Sequence, residues 1–264
     1  MGKYFTVDLI PDCIGGDVSD NNGTADIGAK DIIFDWTAIN VPKGTHALTS
    51  VNMIVNAEDA AYAAGSLTDY ELIFAKSING EAPTSIGTIG GVVSGGFDLR
   101  DHMVGALTLE STAGIGTLIG LGFHVVYHVG STSVYGNSAG PVVPIILDCE
   151  PSSGANVGYD TLYVAGIQIS ARNYGTGVLL NESDIDASTN PTSTIIVDGV
   201  DATKIFSVGD QVYVMDLDTP IPGTLTKVEP LLLTFSETNS TVDITEDDEL
   251  LNANPIRIKL GFES

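Results

Sequence analysis

Gly136-Asn137-Ser138-Ala139-Gly140 has the Gly-x-Ser-x-Gly spacing that lifts a serine hydroxyl onto a strained turn, within reach of a base. That device needs a strand before the serine and a helix after it. Pro141 and Pro144 follow within an apolar run, so the helix is not expected. The plainer reading is a Gly/Asn/Ser turn between two strands. His124 and His128 stand four apart, the spacing of a helical zinc pair. The Val125-Val126-Tyr127 between them favours a strand, where residues i and i+4 lie about 13 Å apart, too far for one metal ion. They are read as sheet-face or interface histidines. Asp17-Val18-Ser19-Asp20-Asn21-Asn22-Gly23-Thr24-Ala25-Asp26 offers oxygen ligands, yet Gly28 falls where a calcium loop needs glutamate. Asp216 with Asp218, and Glu246-Asp247-Asp248-Glu249, read as solvated faces. Gly114, Gly116 and Gly120 miss the dinucleotide spacing. Cys13 and Cys149 make neither a disulfide framework nor a zinc site. No catalytic, cofactor-binding or metal-ligating residue is therefore expected, and no cofactor.

The elements that would carry such residues are set by composition. The chain has 264 residues, with 34 acidic against 10 basic side chains and a formal net charge of −24. Hydrophobic residues at 43% exclude a disordered acidic tail. The charge excludes a nucleic-acid backbone as partner, because few bases are available to neutralise phosphates. The length suffices for one large or two small cores. Ser111–Leu147 lacks any charged side chain, but Gly114, Gly116, Gly120, Gly122, Gly130, Pro141 and Pro144 interrupt it, so no membrane partner is expected. The start, Met-Gly-Lys-Tyr-Phe-Thr-Val-Asp, has no apolar export core, which leads us to expect assembly in a cytoplasm.

Short runs rich in Val, Ile, Tyr and Thr, parted by Gly, Asn, Asp, Ser and Pro, predict strands almost throughout. They are Tyr4–Ile10, Ile32–Trp36, Ser50–Val55, Tyr70–Lys76, Ala106–Leu109, Gly122–Val129, Val142–Asp148, Leu162–Ser170, Val178–Leu180, Ser193–Asp198, Gln211–Asp216, Leu231–Phe235 and Ile256–Phe262. Helical signals are two: Asn56 capping Ala57–Ala64, and Thr245 with Asp248 opening a turn that ends near Leu251. The expected fold is all-β: a sandwich or jelly-roll-like domain over 1–180 and a small barrel or tulip-like domain over 181–264. Asn181–Pro191 is read as a polar linker. Residues 1–180 hold 18 acids and 6 bases (−12), and residues 181–264 hold 16 acids and 4 bases (also −12), so the second part is twice as densely charged. Tyr4, Phe5 and Trp36 are the candidate interface anchors.

Two resemblances follow. Gly136–Val143 is similar to the Gly-x-Ser-Gly-Gly-Pro segment of trypsin-like serine proteases, with Ala139 in place of a family glycine. That likeness implies Ser138 as nucleophile, His46 as base, Asp59 or Asp69 as its orienter, and the Gly136 and Ser138 amides as the oxyanion hole. The other covers about residues 178–264. Ser193–Ala202 leads into Phe206-Ser207-Val208-Gly209-Asp210-Gln211-Val212-Tyr213-Val214, then Pro222–Val228, a strand near Leu232, and Asn254–Ile258. This pattern resembles the small β modules of tailed-bacteriophage virion proteins, notably capsid decoration (head-stabilising) proteins. The resemblance implies a non-enzymatic viral structural protein on the virion exterior. Its partners would be the major capsid protein and copies of itself, often as a homotrimer. A tail, neck, fibre or host-attachment protein with a carbohydrate-binding sandwich is the alternative.

Overall fold

The computed structural model describes residues 3–13, 26–42, 45–56, 69–77, 81–95, 99–109, 122–128, 145–148, 160–173, 179–181, 183–199, 201–214 and 219–263. The chain is all-β. In the first half the strands are β1 (Tyr4–Leu9), β2 (Asp26–Ile27), β3 (Ile32–Val41), β4 (Thr45–Asn56), β5 (Tyr70–Lys76), β6 (Met103–Leu109), β7 (Gly122–His128), β8 (Ile145–Asp148), β9 (Asp160–Gln168) and β10 (Arg172–Asn173). In the second they are β11 (Leu179–Asn181), β12 (Thr192–Asp198), β13 (Val212–Val214), β14 (Thr219–Pro220), β15 (Leu225–Glu229), β16 (Leu232–Asn239), β17 (Glu249–Asn252) and β18 (Ile256–Glu263). Among the described residues the one α-helical piece is a single turn, Leu99–His102.

Two antiparallel sheets, ordered β1-β18-β4-β7 (with β8 beside β7 on β4) and β3-β9-β5-β6, share one apolar core. Alternation builds it. On β4, Val51, Met53 and Val55 are buried while Asn52 and Ile54 face outward, as a pleated strand requires. Opposite them on β18 stand Ile256, Ile258 and Leu260, also buried. Phe34, Leu72, Phe74 and Val164 come from the other sheet. Gly166 is needed there, because a Cβ would overlap the Phe34 ring. Burial of this kind is worth roughly 1.5–3 kcal/mol per large aliphatic or aromatic side chain.

The second core lies in a sheet ordered β14-β13-β17-β11-β12-β16-β15, around Ile195, Val197, Phe206, Val212, Leu233 and Leu250. Among the described residues no sheet closes on itself, which corrects the expected barrel. Its physical reason is in the last strand. Ile256–Phe262 was expected to close the second unit, yet β18 pairs with β1 and β4 over its whole length, inside the first core. The apolar face of β18 finds its match in the long β4 ladder, so the chain leaves the first core, builds the second, and returns.

Other differences are local. Within Asn181–Pro191, read as a linker, residues 183–191 are folded: Ile185 exchanges backbone bonds with Ile244, and Ala187 is buried. The turn expected to run to Leu251 ends at Asp248. The Asp248 carboxylate accepts the Thr245 N–H at 2.8 Å, which is the reach-back half of a capping box. Asp247 then takes a left-handed φ of 70°, which stops a helix, and β17 begins. The helix expected over Ala57–Ala64 lies outside the described residues.

Candidate functional site

Among the described residues, strand β1 is the rim of the first sheet. Its side chains alternate: Tyr4, Thr6 and Asp8 are exposed, Phe5 and Val7 half-buried, Leu9 buried. Phe5 meets Phe262 in an offset stack (centroids 5.1 Å, 26°) and His46 edge-on (5.0 Å, 84°), both favoured ring geometries. Tyr4 is 72% exposed and lies opposite Glu263. A hydrogen bond to that carboxylate, and its charge, hold the phenol pKa above its ordinary value. Trp36 stands elsewhere, in a satellite cluster with Ile32, Ile86 and Ala165. Its indole N–H donates to the Thr84 carbonyl at 3.0 Å, and the neighbouring Asp35 carboxylate accepts the Ile86 N–H at 3.2 Å. Together they clip the 81–95 loop against the sheet. The structure thus joins Tyr4 and Phe5 on one rim and gives Trp36 a separate role.

His46 is buried, and its Nε2 lies 2.6 Å from the Pro42 carbonyl oxygen. A carbonyl only accepts, so Nε2 carries the proton and donates. In a serine triad that nitrogen must instead accept the hydroxyl proton. Ser138, Gly136 and Asp59 lie outside the described residues, as do Cys149, Asp216, Asp218 and the Asp17–Ala25 loop. His124 and His128 are on a strand, as their valines predict, at register positions opposite Ile54 and Ser50. Cys13 is a free buried thiol, and burial pushes its pKa well up, away from the reactive thiolate.

Several carboxylates of the second unit are engaged by its own turns. One Asp186 oxygen accepts the Ser188 N–H, the Ser188 hydroxyl and the Thr189 N–H. Those bonds, chiefly the side-chain ones, hold its pKa down to about 2. Asp201 accepts both donors of Thr203 and is likewise lowered. Asp243 accepts the Ala187 N–H, and Asp184 that of Glu246. Among the described residues no group of three or more His, Cys, Asp or Glu is placed to hold a metal ion.

Sequence reasoning missed the junction between the two cores. Asp210, fully buried, receives the Arg257 guanidinium from β18 on one oxygen. Its other oxygen accepts the Ser207 N–H at 2.7 Å and the Asn252 amide at 2.9 Å. Burial raises the Asp210 pKa against the pull of these donors. Asn254 bonds to Gln211 N–H at 2.8 Å and to the Pro11 carbonyl at 2.8 Å, while Cys13 N–H donates to Ala253 O at 2.9 Å. The available signal is Val208-Gly209-Asp210, quoted above only as part of the pattern over residues 178–264. Gly209 has φ +94°, which permits that turn and lets its aspartate face inward. Chemically the arrangement is a lock, with neither nucleophile nor proton-transfer pair.

No protein-family model matches this chain, and no curated protein matches it.

Proposed function

We propose that the chain is a non-enzymatic structural protein of a phage virion, a decoration protein on the outer surface of the head. It sits on the major capsid protein beside copies of itself, in a homotrimer as the resemblance implies. The first unit acts as a two-sheet sandwich and the second as a small open β module. The observation that carries this reading is the disposition of the acidic side chains. In the second unit Asp186 and Asp201 cap turns and Asp210 locks the junction, while the net charge of −24 supports solubility and mutual repulsion of free copies. A negative exterior also suits the outer rather than the nucleic-acid side of a shell.

Quantitative mass spectrometry of purified particles tests it. A decoration protein is present at hundreds of copies per head; a handful of copies, with glycan binding by the purified chain, marks the tail, fibre or host-attachment reading instead. A fluorophosphonate separates the protease reading. Ser138 is expected to stay unlabelled, in keeping with the His46 Nε2 bond to Pro42, and Ser138→Ala to change nothing.

A further inference from the structure

We propose that His46 is an acid-sensitive latch: taking up a second proton frees the first half of β1 from the sheet while the far end of that strand stays anchored. The imidazole is buried, and its Nε2 donates to the Pro42 carbonyl at 2.6 Å. Among the described residues its Nδ1, also buried, has no hydrogen-bond partner. In the neutral ring Nδ1 is an acceptor left unpaired. In the imidazolium it becomes a second N–H donor, and a charged one, with no acceptor to meet it. A buried donor without an acceptor is costly, more so when charged, so protons favour the arrangement that lets the ring reach water.

The charged groups on the surrounding elements are otherwise engaged or face away. Within β4 His46 is the sole titratable group. On β1, Tyr4 and Asp8 stand on the exposed face, opposite in parity to Phe5, and Lys3 precedes the strand. On β18, Glu263 lies across from Tyr4 and Ala47, Lys259 pairs with Asp8, and Arg257 with Asp210. On β3 the one charge is Asp35, bonded to the Ile86 N–H. Lys43 follows Pro42 in the chain, and Asp148 ends β8 in register opposite Thr45. What the imidazole holds is Phe5, edge-on at 5.0 Å, and Phe5 in turn stacks on Phe262 at 5.1 Å. With the β18 ladder, these ring contacts fasten the first half of β1. The far end has other ties. Leu9 is buried, the Asn254 amide donates to the Pro11 carbonyl at 2.8 Å, and the Cys13 N–H donates to Ala253 O at 2.9 Å. Departure of the His46 ring therefore loosens Tyr4–Thr6 and leaves residues 9–13 in place, an arm hinged near Val7. Its release uncovers Phe5 and the face of Phe262 on which it stacks.

Amide exchange of the full chain, corrected for intrinsic rate, tests this between about pH 7 and about pH 5, where a free imidazole changes charge and carboxylates in water stay ionised. Opening over Tyr4–Thr6 is expected to speed roughly tenfold or more toward the acid end, while the Cys13 amide keeps its protection. The Hε1 resonance of His46 should shift over the same range as that opening. In His46→Gln the side-chain amide can still donate to Pro42 but takes up no proton, so the acid dependence disappears. Unchanged exchange over Tyr4–Thr6 in the unaltered chain, an Hε1 shift without opening, or equal loosening at Cys13 overturns the proposal. So does a His46→Gln chain that keeps the acid dependence, which would assign it to Tyr4 with Glu263 or to another group. Should His46→Gln fail to fold, the unaltered chain decides: coincidence of the Hε1 shift with the opening supports the latch, and separate midpoints overturn it.

Discussion

The two cores of this chain are built by different means. The first uses long ladders, such as Ile256–Glu263 against Ala47–Val55, and an apolar face carried continuously across two sheets. The second uses strands as short as two or three residues and fastens the turns between them with carboxylates from Asp184, Asp186, Asp201, Asp243 and Asp248. Short strands bury less apolar surface, so more of the folding energy must come from side-chain bonds to backbone amides. The lesson is that these five aspartates serve the fold of the second region, whereas long apolar ladders carry the first. Asp210 and Arg257 tie the two together.

The largest test of that division removes the tie. Asp210→Ala strands a half-buried guanidinium arm, a serine N–H and an asparagine amide, and should cost about 3 kcal/mol in urea unfolding. The variant is expected to separate one cooperative transition into two; a single unshifted transition breaks the comparison at its centre. Next is Gly166→Ala, which forces a methyl group into the Phe34 ring. Overpacking of this kind costs typically about 1–3 kcal/mol, here confined to the first core. Fluorescence of Trp36, the single tryptophan, should follow that loss, while amide exchange in β12 and β16 stays unchanged.

Trp36→Phe removes one hydrogen bond to Thr84 and should cost about 0.5–1.5 kcal/mol in thermal unfolding. Its amide-exchange signature belongs to the 81–95 loop; faster exchange in the second unit would contradict the separation. The smallest effect is that of acid. Asp186 and Asp201 have folded pKa values below the unfolded 3.8, so their contribution is present above that value and fades as pH falls, at Asp186 toward about 2. Asp210, raised by burial, works the other way, its contribution fading as pH rises through its folded pKa. Exchange corrected for intrinsic rate should therefore speed at the Asp186 turn between pH 4 and pH 2, and at the Asp201 turn as pH falls below 3.8, while the β4–β18 ladder holds. Equal loosening of both regions would mean the carboxylates are not what distinguishes them.

The strands were readable because alternation is a property of the local chain. Tyr70–Lys76 stands where its pattern places it, and Ile32–Trp36 is the start of a longer strand, β3. Leu225–Glu229 and Glu249–Asn252 escaped notice as strands because Thr226, Lys227 and Glu229 dilute one pattern and the acidic run before Leu250 hides the other. Of the candidate rim, Tyr4 and Phe5 were legible as aromatic residues on a strand. That Phe5 packs against His46 and Phe262 was not, since those partners are about forty and more than two hundred positions away.

What the amino-acid order determined by itself is the all-β character and the turn positions, since pleat alternation and glycine or aspartate turns act within a few residues. Which core each strand joins was decided only in three dimensions. Ile256–Glu263 follows the second unit in sequence, yet its alternating face is completed by β1 and β4. Pairing energy depends on which apolar row lies across the ladder, not on which strand came before it.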